Sequence, residues 1–448
     1  MKTKLTDFKS IKNLLGIIFI NILLTFVALE SVSLAFYFLK EKRFYYTSKN
    51  QPQSQEFSKD LEKLGVRLEE EIVERFHPYF GYVMKQGAFP RPDVNLKVNN
   101  YGFYSRYDYP FIKKNSNQYI IGMFGGSVAN DFAINDYIYN EFTRRLKKSP
   151  FFANKEIIIL NLGVGGYKQP QQLLILNYFL AINQKFDLVI NLDGFNEIAL
   201  ANVNNTNKLD FAMPSFQHIQ PLTGLANNNL SFKVLQSMLD IRQTKKQLSQ
   251  TIKDLDRCSL ALCYTTRSLQ ARHLINQYQE KLKDYEKQQK ANANQLFDKN
   301  NVINLYQSQS KLSDDQQQQA YDQMISLWYQ SSLTMSQVLK ARKIPYFHFI
   351  QPNQYYPSKR VFTEEEKKLY IVTYSPYSNA IKSGYPKLLS KVEDLRKEQV
   401  NIFSAVNVLD GTKETVYRDN CCHYNNIGQN LLGDYISEAI IKVVKDSK

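Results

Sequence analysis

Two short runs carry the side chains that together make a serine nucleophilic. Ser127 lies in Ile-Gly-Met-Phe-Gly-Gly-Ser-Val-Ala (121–129), and Asp419 and His423 bracket Asp-Asn-Cys-Cys-His (419–423). A hydroxyl is a poor nucleophile near neutral pH. It needs an imidazole to take its proton and a carboxylate to orient and stabilise the imidazolium. Ser127 as nucleophile, His423 as general base and then acid, and Asp419 as the orienting carboxylate would complete that set. The run 118–124 is mostly β-forming, Gly125 and Gly126 permit a tight turn, and a helical pattern begins at about residue 136. Ser127 would therefore stand at the carboxyl end of a strand, the edge where open α/β sheets bind ligands. The same glycines also fit a plain strand-to-helix turn, and the Lys-Ser/Thr pair of a phosphate loop is missing.

Two further apolar runs end in residues suited to an oxyanion pocket. Residues 156–162 lead into Gly163-Val164-Gly165-Gly166, and 187–192 lead into Asp193-Gly194-Phe195-Asn196-Glu197. Acyl-group hydrolysis passes through a tetrahedral oxyanion, which is stabilised by fixed N–H donors. The backbone N–H groups of Ser127 and Gly166 and the side-chain amide of Asn196 answer that need. A helix cap for Asn196 and a turn glycine at 166 are the plain alternatives.

In this order the four blocks resemble the SGNH, or GDSL-type, hydrolase family: Gly125-Gly126-Ser127, Gly166, Gly194-Phe195-Asn196-Glu197, and Asp419 with His423. The resemblance extends over roughly residues 77–445. His77-Pro78-Tyr79-Phe80-Gly81-Tyr82 and Gln351-Pro352-Asn353 are similar to accessory segments of membrane-anchored members. It implies a flavodoxin-like three-layer α/β/α fold with esterase-type or acyl-transfer chemistry. Gly126 stands where the family has an aspartate before the serine, and Glu197 where it has one after the asparagine. The family spacing puts Asn420 three residues before His423, whereas the carboxylate, Asp419, lies four before it. Both offsets can face the histidine from a helix-like turn. Only Asp419 stabilises the imidazolium by charge, so Asp419 is the expected partner and Asn420 the alternative.

The elements that must position these groups are strands at 118–125, 155–162, 186–193, 344–350 and 400–405, with helical connections, which read as a parallel five-stranded sheet. A last helix is expected from 426 to 444. Residues 205–312 read as an insertion. Leu248, Ile252 and Leu255, then Leu274, Tyr278, Leu282 and Tyr285, repeat at helical spacing about a connection at 258–266. That pattern describes a helical hairpin, either a lid or protein-docking arm, or a solvated decoration. Ser313 would cap the next helix, which carries Gln316–Gln319.

Residues 14–39 are apolar enough to cross a membrane, interrupted by Glu30. The length and the lack of a small-x-small cleavage site favour an uncleaved anchor over a signal peptide. A polar stalk at 45–64 and a helix over 58–75 then lead to a hydrolase-like domain over 77–448. Basic residues flank the span evenly and do not set its orientation; the resemblance implies an extracytoplasmic domain. The cysteines 258, 263, 421 and 422 allow three disulfide pairings, or four reduced thiols. The net charge of +15 comes from scattered Lys and Arg rather than a nucleic-acid motif, and it suits anionic lipid headgroups or acidic glycans. Neither metal nor other cofactor is expected, since no histidine pair has ligand spacing. The composite expectation is an anchored serine esterase acting on an acyl group, acetyl among them, of an envelope glycan or lipid. An O-acyltransferase and a non-catalytic scaffold are the alternatives.

Overall fold

A computed structural model describes residues 3–48, 74–87, 96–207, 209–223, 232–292, 314–372 and 375–446. Two antiparallel pairs come first in its sheet-bearing part, β1 (Glu74–His77) with β2 (Gly81–Met84) and β3 (Lys97–Val98) with β4 (Tyr104–Ser105). The five expected apolar runs then form β5 (Gln118–Gly125), β6 (Glu156–Asn161), β7 (Leu188–Asp193), β8 (Tyr346–Ile350) and β9 (Asn401–Ser404). They make one sheet in the order β6-β5-β7-β8-β9, parallel throughout. β5, β7 and β8 are buried at every position, as continuous apolar runs in a covered parallel sheet require.

The register aligns the strand ends. Gly125 lies opposite Leu192, and Ile350 opposite both Asp193 and Ser404. Segments leaving β5, β7 and β8 therefore emerge at one edge. The chain leaves β5 toward β6 on one side and later adds β7 on the other, which makes β5 the switch point where ligand crevices form. Helix α3 (Ser127–Ile134) packs on β5, β6 and β7, and α4 (Asp136–Leu146) packs on the C-terminal helix, Asn426–Asp446. The helix expected from about residue 136 is thus preceded by another that starts at the serine itself. A continuous core runs from Phe80 through the sheet to Ile440.

The chain divides into two compact units. Residues 72–227 and 299–448 form the sheet unit, while residues 1–71 and 228–298 form the other. The expected insertion is therefore split, with 205–227 belonging to the sheet unit. The expected helix over 58–75 lies outside the described residues except for Glu74 and Arg75, which are in β1. Ser313 and most of the stalk also lie outside them.

In the second unit, α1 (Thr3–Glu41), followed by the short α2 (Tyr45–Ser48), is the one helix among the described residues long and apolar enough to cross a membrane, over Asn13–Glu41. Its apolar side chains from Leu14 to Leu29 are exposed, whereas Ser33 and Tyr37 are buried. Burial begins where α1 meets the hairpin of Phe232–Leu255 and Ala261–Asn292. Tyr37 and Tyr45 pack there with Leu248, Ile252, Leu255, Leu274 and Tyr278. The expected connection at 258–266 is shorter than its sequence pattern suggested, because the second helix already starts at Ala261. Glu30 interrupts the apolar run for a specific partner: its two carboxylate oxygens accept the N–H groups of Ala261 and Leu262, each at 2.8 Å. Those are orphan donors at a helix N-terminus, where an anion is favoured.

Of the three cysteine pairings, the structure contains Cys258–Cys263, which closes the hairpin turn, and leaves Cys421 and Cys422 as thiols. Non-reducing peptide mapping of unfolded protein is expected to recover 258 linked to 263 and both 421 and 422 alkylated. A 258–421 or 258–422 link would contradict this pairing.

Candidate active site

Ser127 opens α3 directly after the glycine turn, with Gly126 as the N-cap residue. The turn has no room for a side chain at 126, because a Cβ there would collide with the Asn196 amide nitrogen. The turn therefore requires glycine at 126. The first turn of a helix leaves its N–H groups without intrahelical acceptors, so the Ser127 N–H is available and the helix N-terminus favours negative charge beside it.

The structure brings His423 and Asp419 to this serine. The Ser127 hydroxyl and His423 Nε2 are 2.6 Å apart, and the other ring nitrogen, Nδ1, contacts Asp419 Oδ2. The remaining Asp419 oxygen accepts backbone N–H groups of Cys421 at 2.9 Å, Cys422 at 3.1 Å and His423 at 3.3 Å. The four-residue offset is therefore a tight turn closed on the carboxylate itself. Asn420 is exposed, and its carbonyl accepts from the Tyr355 hydroxyl, so Asp419 and not Asn420 occupies the orienting position.

Neighbouring elements fix that turn. Tyr417 and Tyr424 bridge its base, and Arg418 pairs with Asp131 on α3. Glu366, buried in an ion pair with Arg360, accepts the N–H groups of Val416 and Tyr417. The segment after β8, noted above for Gln351-Pro352-Asn353, supports the turn from the other side. Asn353 donates to the Cys421 carbonyl and Gln354 to that of Asp419.

Electrostatics follow from this burial and pairing. Burial alone would raise the Asp419 pKa, yet contact with His423 and the backbone donors holds it down to about 2. For His423, burial disfavours the imidazolium, but Cys422 and Asp419, with Asp131 beyond, hold its pKa up to about 9. Burial pushes the Cys422 thiol well above its ordinary value. The Asp419 carboxylate is the acidic group in direct contact with the imidazole.

Of the expected oxyanion donors, the Asn196 amide lies against Gly126, the residue before the serine. Asn196 lies on the helix Phe195–Thr206 following β7, and its amide donates to the Tyr167 carbonyl at 2.7 Å while also touching Gly126. Gly166 precedes Tyr167 and takes φ +78°, a conformation that favours glycine. A Cβ there would lie 2.5 Å from His218 Nε2 and 2.7 Å from the Tyr82 hydroxyl. Glu197 accepts the N–H groups of Gly194 at 2.8 Å and Gln169 at 3.2 Å, tying the loop after β6 to the helix after β7. The Glu197 side chain thus spans between these two segments. Burial and nearby Asp193 push its carboxyl up to about 8, against the pull of these donors. Asn196→Ala is expected to lower kcat for a soluble ester by roughly 10²–10³-fold with little change in KM, because an oxyanion donor acts mainly in the transition state. Equal kcat values would remove Asn196 from the pocket.

Sequence reasoning placed His218 in the insertion. The structure instead puts it on Phe216–Thr223 in the sheet unit, its ring against Gly165 and Gly166, its Nδ1 3.0 Å from Glu74 and stacked on Tyr82. No periodic or motif signal links residues so far apart. Lys168 was also missed. It is wholly buried, donates to the carbonyls of Phe211 and Met213, and burial lowers its pKa to about 7.

A second Ser–His–Asp set centres on His348 of β8, with Asp193 from β7 and Ser332 from the helix Asp314–Ala341. His348 Nε2 lies 2.7 Å from Asp193 and Nδ1 2.7 Å from Ser332, with Trp328 also donating to Asp193. All three side chains are sealed from solvent, and the carboxylate and hydroxyl sit on the opposite ring nitrogens from those at His423. This set ties strands to helix and meets no substrate. Cys421, Cys422 and His423 offer ligand atoms within 4.8 Å of one another. A soft metal held there would take an imidazole nitrogen from Ser127 or Asp419.

No protein-family model matches the chain, and no curated protein matches it.

Proposed function

We propose that this chain is a membrane-anchored serine hydrolase of the SGNH, or GDSL, type, acting on an ester-linked acyl group of an envelope glycan or lipid. The observation that carries the reading is the Ser127–His423 contact of 2.6 Å with Asp419 on the far ring nitrogen. The strand order β6-β5-β7-β8-β9 supports a flavodoxin-like three-layer arrangement, since it is the 2-1-3-4-5 order of that fold. An extracytoplasmic location is supported by the apolar helix together with the Cys258–Cys263 disulfide, because disulfides persist in oxidising compartments.

In this reading Ser127 Oγ attacks the ester carbonyl while His423 Nε2 takes the hydroxyl proton. The carbonyl oxygen becomes an oxyanion held by the N–H groups of Ser127 and Gly166 and the amide of Asn196. Collapse breaks the bond to the alcohol, which leaves with the proton from His423. The acyl-serine then yields to a water or hydroxyl whose proton passes to His423 and back to Ser127.

A fluorophosphonate probe tests the reading in the full chain. It is expected to label wild type at Ser127 and to leave Ser127→Ala unlabelled. Folded wild type that resists the probe would favour a non-catalytic scaffold.

A further inference from the structure

We propose that His218, held by Glu74, is the binding site for a hydroxyl of the acyl acceptor, so that the acyl-serine is passed to a polyol or sugar in preference to water. This rests on the serine-hydrolase reading and names the second substrate of the same site.

The placement comes first. Asn196 touches Gly126, the residue before the nucleophile, and donates to Tyr167, the residue after Gly166. His218 packs on Gly165 and Gly166 in the same loop, with Nε2 only 2.5 Å from where a Gly166 Cβ would be. His218 therefore stands at the rim of the oxyanion pocket. The loop, the imidazole and its supports all belong to the sheet unit.

The chemistry of the ring follows from its partners. Glu74 Oε1 lies 3.0 Å from Nδ1, and an ionised carboxylate only accepts hydrogen bonds. Nδ1 must therefore carry a hydrogen, and in the neutral ring Nε2 is left with its lone pair. Stacking on Tyr82, with ring centroids 4.9 Å apart and planes 10° from parallel, holds the plane, and the Tyr82 hydroxyl is itself fixed on the Gly165 carbonyl at 2.7 Å. Nε2 has no hydrogen-bond partner among the described residues, and the side chain is 26% exposed. A positioned acceptor atom on a partly exposed side chain selects a ligand that donates. The acyl chain of an ester has no donor, whereas a sugar or polyol offers a row of hydroxyls.

Transfer then needs two hydroxyls of one molecule. One attacks the acyl carbon as its proton moves to His423 Nε2. The C–O bond to Ser127 breaks, and that proton returns to Ser127 Oγ. The second hydroxyl donates to His218 Nε2 without giving up its proton. His218 thus positions the acceptor, and water, bound by one group alone, competes poorly.

The experiment uses the full chain in detergent with p-nitrophenyl acetate as donor and methyl α-glucoside as acceptor, counting acetylated glycoside against free acetate. In His218→Ala the transfer-to-hydrolysis ratio is expected to fall by about tenfold, the loss for one hydrogen bond of ~1.4 kcal/mol. His218→Gln, whose carbonyl still accepts, is expected to recover part of the ratio, and Glu74→Gln to fall between the two. An unchanged ratio in His218→Ala that still reacts with the fluorophosphonate would overturn the proposal while sparing the nucleophile. Wild type that resists the probe would sink the nucleophile instead. Acceptor binding is then read directly from the His218 imidazole ¹⁵N resonances of Ser127→Ala protein. A shift on adding millimolar glycoside supports the acceptor site, and an unmoved signal overturns it.

Discussion

Ester turnover is expected to fall by roughly 10⁴–10⁶-fold in Ser127→Ala, to a residue that persists from the oxyanion donors and binding alone. The size of the loss follows from how the groups depend on one another. His423 holds the serine proton only because Asp419 fixes Nδ1, and Asp419 is itself held by three backbone N–H groups. Removing one member strands the others. Ser127→Ala combined with His423→Ala is therefore expected to cost no more than the serine change alone. Additive losses in the double variant would mean that the two side chains do not act as a unit.

The second large effect is on pH dependence. His423 must be unprotonated to take the serine proton, and its pKa is held up to about 9. Below that pH the competent fraction falls about tenfold per unit, so kcat/KM should rise steadily from pH 6 and level off near 9. Asp419→Asn is expected to move the inflection back toward the ordinary histidine range and to lower the plateau by about 10⁴-fold. An inflection that stays near 9 in Asp419→Asn would assign the raised pKa to another group.

The same shifts have a signature in stability, with opposite signs at the two ends. His423, raised from 6.5, keeps its proton in the folded chain where the unfolded chain has lost it. Its contribution is complete below 6.5 and disappears as pH rises through about 9. Asp419, lowered from 3.8, contributes above 3.8 and loses that contribution as pH falls through about 2. The pair therefore stabilises most between 3.8 and 6.5. The gap between the wild-type and Asp419→Asn melting curves should be widest in that interval.

What the sequence revealed depended on how local the signal was. The strands were readable because short, continuous apolar runs between polar segments have few other uses, and their ends came within about two residues. Ser127, Asp419 and His423 were readable because residue type and order carry the chemistry, although only coordinates show which offset faces the imidazole. His218 was not readable, since its meaning lies in contacts with Glu74, Tyr82 and Gly166, each far away along the chain. Glu30 misled for a related reason. A carboxylate within an apolar run looks like a defect until its partners, the first N–H groups of a helix more than 200 residues later, are seen.

The Glu30 contact also fixes a height. Helix α1 has 39 residues, about 58 Å at 1.5 Å per residue, nearly twice the ~30 Å that a hydrocarbon core requires. Glu30 is where the hairpin takes hold of α1, although Val32, Phe36 and Leu39 beyond it still present an apolar face to the outside. The hairpin's first turn is therefore held at a set point along the helix, without the freedom of a tether.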